Sequence, residues 1–292
     1  MSLRLEMLQV ARLAPSVLGE ATPRVAEFVR SQLTVEGGGA DRAGKPDLYY
    51  TAFLLDALVA LSEELPADRV RPYLETFGEG EDLDLVHRAC LVRCWAALGE
   101  GWPSETFVRS VTEHLAACRS ADGSFGMDPG RARGTLYDAF LALGVYQDVG
   151  VPMPAPVVLG AAMVELRTPD GGFSNESELR WGMGPSTAAA VAVLSQLELP
   201  VPDDVAPWLL SQIHPKGGFK AIPDAPMPDL LSTATILHAL GILGADLGGA
   251  KELCLDYLDT LWNGKSFYGH WAEEELDVEY TFYALLALGH LS

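Results

Sequence analysis

The chain has 292 residues, with 40 acidic side chains against 20 basic ones and a formal charge of −20. That balance excludes nucleic acid as a partner, because affinity for phosphate backbones comes from Lys and Arg, and it argues equally against anionic membrane surfaces. Apolar residues make up 49% of the chain, enough for a large core, yet no apolar run approaches the ~20 residues of a membrane span.

Taken in chain order, residues 1–20 interleave Arg4, Glu6 and Arg12 with leucines. They read as an amphipathic helix packing on the remainder, without a secretory core or cleavage site. Two kinds of helical segment then alternate. Amphipathic stretches fall at 22–33, 66–77, 103–118, 153–167, 202–213 and 249–262. Stretches apolar almost all round fall at 47–62, 84–98, 135–147, 185–197, 229–243 and 277–290. In the first kind, Val205, Trp208, Leu209 and Ile213 show the i, i+3, i+4 spacing of a half-buried helix. In the second, the run from Ala188 to Leu194 has no polar face, so it must be buried on every side.

Short Gly-rich loops join each pair: Asp122-Gly123-Ser124-Phe125, Asp170-Gly171-Gly172-Phe173, Lys216-Gly217-Gly218-Phe219 and Asn263-Gly264-Lys265-Ser266-Phe267. Their Phe residues lie 48, 46 and 48 positions apart. Each is followed 13 or 14 residues later by the same point of an apolar helix, at Asp138, Thr187, Thr233 and Thr281. Weaker copies place that point at Thr51 and Arg88. A period near 48 in six copies marks a repeat architecture, in which each hairpin covers an apolar face of its neighbours. The expected fold is all-α: a closed α/α toroid over 1–292, with six inner and six outer helices. Glycine admits the loop geometry, and each Phe is expected to plug the gap between hairpins.

Asp47, Asp84, Asp229 and Asp277 lie four residues before the aligned point, where Gly134 and Met183 stand in the other copies. Acids at a helix start are N-caps. Inner-helix N-termini converging on one mouth would also make a ring of donors able to meet an anionic head group. Tyr49, Tyr50, His87, Arg88, Tyr137, Glu279 and Tyr280 lie just inside that rim, as candidates to contact a small molecule. Cys90, Cys94, Cys118 and Cys254 form no CxxC pair. They read as core thiols of a reducing compartment, so the cytoplasm is the expected location.

The loops DGSF, DGGF and KGGF, with the helices PDLLSTATILHALGILG and LDVEYTFYALLALGHL, resemble those of protein prenyltransferase β subunits, the Rab geranylgeranyltransferase β subunits among them. The resemblance implies the α/α toroid shared with terpenoid cyclases, an isoprenoid in a central cavity, and a helical α-subunit partner, with self-association the alternative. It also implies a catalytic zinc held by Asp, Cys and His. Asp229 matches the Asp, but Leu231 and Tyr280 stand at the Cys and His positions, so zinc is not expected to bind in the family manner. Of the family's basic diphosphate contacts only Lys220 has a counterpart. Were the chain an enzyme, Asp229 and Tyr280 would be its catalytic pair, with Lys220 and Arg88 neutralising phosphate. The cyclase D-x-D-D motif is met only in part by Asp82-Leu83-Asp84-Leu85. Three readings stay open at this level: a transferase or cyclase acting on an isoprenoid diphosphate, a non-catalytic protein holding an apolar ligand, and an interaction scaffold.

Overall fold

A computed structural model describes residues 1–99 and 101–292. Among them are fourteen α-helices, and the order of the pairs is the one the periodicity predicts. Six apolar helices form an inner ring: α4 (Leu48–Ala60), α6 (Leu85–Leu98), α8 (Leu136–Asp148), α10 (Gly184–Gln196), α12 (Leu230–Ile242) and α14 (Val278–Leu291). Each packs on the next, and α14 packs back on α4, so the ring closes. The preceding helices form the outer ring: α3 (Thr22–Ser31), α5 (Ala67–Glu75), α7 (Glu105–Ala117), α9 (Pro156–Val164), α11 (Val205–Ser211) and α13 (Ala250–Leu261). The outer ring closes too. The Lys265 ammonium lies 5.4 Å from the ring centre of Phe28, and the Arg24 guanidinium 5.7 Å from that of Trp262.

One outer helix departs from expectation. The segment 153–167 reads as amphipathic, yet α9 turns Val157, Val158, Ala161 and Val164 to the outside. Its apolar residues continue round the helix, leaving no polar face.

The loops explain the repeat. In five copies a residue one to three positions beyond the outer helix bridges the Phe or its equivalent: Leu33 with Gly39, Arg119 with Phe125, Arg167 with Phe173, Ile213 with Phe219, and Trp262 with Phe267. Phe125, Phe173 and Phe219 are fully buried. The loops dock on the outer helix of the following copy, Gly37 against Arg69 of α5, Gly123 against Val158 of α9 and Gly217 against Leu253 of α13. Gly217 shows why glycine is required: at φ +88°, a Cβ there would sit 1.8 Å from the carbonyl oxygen of Leu253 on α13. In the first copy the loop opens into a minimal hairpin, β1 (Gly39–Ala40) against β2 (Pro46–Asp47).

Threonine at the aligned point has a purpose that periodicity does not reveal. The Thr187 and Thr233 Oγ1 atoms each accept from the loop Phe N–H, at 2.9 Å in both copies. Thr51 accepts from Gly39 N–H at 2.8 Å, and Thr281 exchanges a 2.6 Å hydrogen bond with Ser266. A buried N–H is thereby satisfied without interrupting the helix.

The helix starts are capped as expected at Asp47, Asp84, Asp229 and Asp277. In the third copy the cap is Thr135 rather than Gly134, its hydroxyl accepting from Asp138 N–H at 3.0 Å. Met183 caps α10 without a side-chain bond, and the buried Gly184 N–H donates to the Ala221 carbonyl at 2.7 Å.

At the opposite mouth, α1 (Leu3–Ala11) lies across the C-terminal ends of the inner ring, followed by α2 (Ala14–Leu18). Leu3 N–H donates to Gln147 at the end of α8, and Gln196 at the end of α10 donates to Glu6. Val10 packs its carbonyl against Gly289, where a Cβ would come within 2.1 Å. The molecule is thus a ring with one end covered.

Candidate functional site

Glu279, in the first turn of α14, stands at the uncovered mouth. Its Oε1 accepts from the Tyr49 hydroxyl of α4 at 2.7 Å, a bond between residues 230 positions apart that also draws the first and last copies together. Burial pushes the Glu279 carboxyl up, against the lowering influence of that bond. Burial likewise raises the Tyr49 phenol far above its ordinary value. Tyr137 on α8 is 42% exposed, yet burial, Cys90 and Glu279 push its phenol up to about 12. Tyr50 stands edge-on to Tyr49 at 5.6 Å. Tyr280 lies 6.5 Å from Tyr283, its phenol pushed up to about 12 by burial, with Glu279 and Asp229 close enough to add to the effect.

Behind this group stands Tyr283, one turn further along α14, with Phe53 at 5.5 Å. Arg93 of α6 lies over the rings of Phe53 and Phe282 at 5.2 and 5.6 Å. Tyr283 and Arg93 both keep accessible surface. Nevertheless, protein surrounds them so densely that desolvation is the leading influence on each. That remaining surface lies amid dense protein at the centre of the ring, as expected of side chains facing its lumen. Its aromatic wall suits an apolar ligand.

The remaining residues named from sequence lie elsewhere. Arg88 is buried, and its Nη1 reaches Ser110 of the outer helix α7 at 3.5 Å; it points between the two rings. Lys220 donates to the Pro223 carbonyl in its own loop. His87 sits at the rim, its Nδ1 2.9 Å from Asp84 and its Nε2 3.9 Å from Asp47. Asp229 uses both carboxylate oxygens on Ser232, accepting from its N–H and from its hydroxyl at 2.7 Å each. Burial raises this carboxyl, while Ser232 and His270 lower it.

The donor ring expected at the mouth is already occupied. The first-turn N–H groups of Tyr50, His87, Asp138, Ser232 and Tyr280 all donate to their own cap residues. Leu136 and Leu230 donate to carbonyls of the next copy's loop. The rim itself is acidic. Arg42, the cation nearest Tyr50 and Tyr280, is held by Glu273 and Asp277 at 3.1 and 3.0 Å.

A family-type zinc does not fit this donor set. Leu231 offers no ligand, Tyr280 packs its ring against Gly269, and both oxygens of Asp229 are engaged. Among the described residues no three His, Cys, Asp or Glu side chains converge as a metal site would require. A surface hollow of about 490 Å³ lies at Arg131–Gly134 and Glu176–Glu178, and none of the candidate catalytic or binding residues named from sequence lines it.

Tyr283, Arg93 and Asp56 escaped the sequence reading. The signal was present for two of them: the lone acid of LYYTAFLLDALVA and one of the two guanidinium groups of LVHRACLVRCWAAL, charges in helices that must be buried.

Comparison with known proteins agrees with this geometry. No curated protein matches the chain in sequence. Candida albicans protein geranylgeranyltransferase-I, solved with GGPP, superposes at a TM-score of 0.68 and 14% identity over 90% of this chain and 89% of that one. The type II terpene cyclase MstE from Scytonema, solved with geranylgeranyl dihydroxybenzoate, gives 0.65 and 12% over 95% and 97%. A protein from Actinoplanes gives 0.59 and 16% over 93% and 98%. At such identities the likeness speaks for the fold. The family model of the prenyltransferase alpha-alpha toroid domain matches residues 74–147 and 174–292, and the chain belongs to that family.

Proposed function

We propose that the lumen binds an isoprenoid or similarly apolar chain, and that Glu279, positioned by Tyr49, exchanges a proton with it. The observation that carries this reading is the accessible yet enclosed surface of Tyr283 and Arg93. A scaffold whose centre is filled by its own side chains would have none. Structural neighbours solved with GGPP and with a geranylgeranyl compound lend support.

The chemistry follows from the wall. A carboxyl that burial pushes up holds its proton more firmly than a solvated one and is suited to serve as a general acid. Transfer of its proton to an alkene carbon forms a C–H bond, breaks the O–H bond, and leaves a carbocation beside a carboxylate. The Tyr49 hydroxyl stabilises that carboxylate, and the faces of Tyr137 and Tyr283 stabilise the cation. Loss of a neighbouring proton to the same carboxylate restores the acid. No step requires diphosphate departure, which Asp229, Lys220 and Arg88 are poorly placed to assist. A cytoplasmic location, argued from the four free cysteines, and an α-subunit-like or identical partner chain, argued from the family resemblance, are parts of this reading.

The test is titration of the protein with geranylgeraniol, followed by tyrosine fluorescence, with product analysis by mass spectrometry. Saturable one-to-one binding is expected, weakened about tenfold by Tyr283→Ala. Glu279→Gln should retain binding and lose any rearranged product. If geranylgeraniol does not bind, the lumen reading is wrong. Rearrangement surviving in Glu279→Gln would remove Glu279 from the chemistry.

A further inference from the structure

The outer helix α9 differs from its neighbours in what it shows to solvent. Exposed charges such as Glu27, Asp68, Arg109 and Glu252 mark α3, α5, α7 and α13. No charged side chain stands between Asp148 and Glu165. Instead α9 holds Val157, Val158 and Val164 outward, at 68%, 48% and 45% exposure. Val157, Ala161 and Glu165 follow one another at i, i+4 spacing and share that outward face. Its two ends differ in sign. At the N-terminal end no side chain caps the helix: Ala155 stands at the cap position, Pro156 follows, and the Val157 N–H has no acceptor among the described residues. Arg119 lies there too, its Nη1 donating to the Pro154 carbonyl at 2.9 Å, without an acid to pair with among the described residues. At the other end Glu165 is exposed, likewise without an ion-pair partner among them.

We propose that α9 is a contact between two copies of this chain, packed antiparallel about a two-fold axis at Ala161. A half-turn sets Val158 against Val164 of the other copy, and Glu165 against the other copy's Val157 N–H and Arg119. Each end of the face then meets its opposite, as an antiparallel copy provides and a parallel one does not. Ala161 carries only a methyl group, so the helix axes can approach to about 8 Å. Charge also selects the partner. Two chains at −20 each repel wherever acid faces acid, and α9 is where they can touch without that penalty. A basic partner would be drawn to the acidic rim instead, since α9 offers it only Glu165. The contact lies outside the ring and does not depend on what the lumen binds. Nine residues span about 14 Å, and they bury less than the ~800 Å² per partner of a standard complex. The dimer should therefore be reversible, with a dissociation constant in the micromolar range.

Sedimentation equilibrium of the full chain, from below to above that range, tests the contact. The mass should rise from 31.4 kDa towards twice that value as concentration increases. Val157→Arg should weaken association about tenfold or more, because it buries an unpaired charge in the contact, with the circular dichroism of the chain unchanged. Ala161→Cys adds an accessible thiol to a chain whose four cysteines are buried. Oxidation by air and copper phenanthroline should join it to its counterpart across the axis. A mass of 31.4 kDa at every concentration overturns the self-contact. A dimer that survives Val157→Arg, or that Ala161→Cys fails to link, forms elsewhere or in another register and overturns it as well.

Discussion

At the scale of single residues, the threonines of the inner ring are locks rather than fillers. Thr233 hydroxyl accepts from the Phe219 N–H and donates back to the Asp229 carbonyl at 2.7 Å. Thr233→Val keeps the shape and strands the N–H, so urea unfolding should show a loss of about 1–3 kcal/mol. A loss under about 0.5 kcal/mol would mean that the hydroxyl is not the fastening. The histidines of the ring make a second prediction. His238 Nδ1 lies 3.0 Å from His290 Nε2, and burial lowers His238 to about 3 and His290 to about 4. Both are neutral in the folded state, whereas unfolded chains protonate near 6.5. Unfolded molecules therefore bind more protons between about pH 6.5 and 4, and stability falls as pH drops through that window. It is fully present above it. His290→Phe should flatten this limb of the stability–pH curve, while an unchanged slope would assign it to other groups.

At the scale of elements, glycine positions with similar backbone angles should behave differently. Gly217 and Gly264 both have positive φ, at +88° and +100°. Only Gly217 faces an obstacle, the Leu253 carbonyl, while nothing lies within 4 Å of a Cβ at Gly264. Gly217→Ala is expected to cost more than about 2 kcal/mol, and Gly264→Ala about 1 kcal/mol, the strain of the left-handed region alone. Equal costs, measured by denaturant unfolding, would show that the loops do not dock on the next hairpin as described. These elements were legible in the sequence because the loop, the apolar helix and the acid cap recur in register. What lies inside the ring was not. A helix buried on all sides carries no periodicity to say which residues face the lumen and which face the outer ring. Arg88 and Arg93 thus look alike in sequence, though one reaches α7 and the other Asp56. Tyr283 could have been placed from its position four residues after Glu279, on the same helix face. The apolar exterior of α9 was not legible either, since 153–167 reads as an amphipathic segment in sequence.

At the scale of the whole molecule, closure makes the site. Tyr49 belongs to the first copy and Glu279 to the last, so their 2.7 Å bond exists only because α14 returns to α4. Tyr137 and Arg93 then face them from the third and second copies. The N-terminal helix completes the vessel: Arg4 joins α1 to Asp56 at the floor, leaving the acidic mouth open. No helix among the described residues is long and apolar enough to cross a membrane. The apolar space of the proposal is the lumen of the ring. Its existence is the claim on which the functional reading stands. Diffraction from crystals pressurised with xenon tests it directly, since xenon enters dry apolar cavities without needing polar partners. Ordered xenon enclosed by Tyr49, Tyr137 and Tyr283 is the predicted result. A lumen closed by side chains, with xenon only at the periphery, would contradict it.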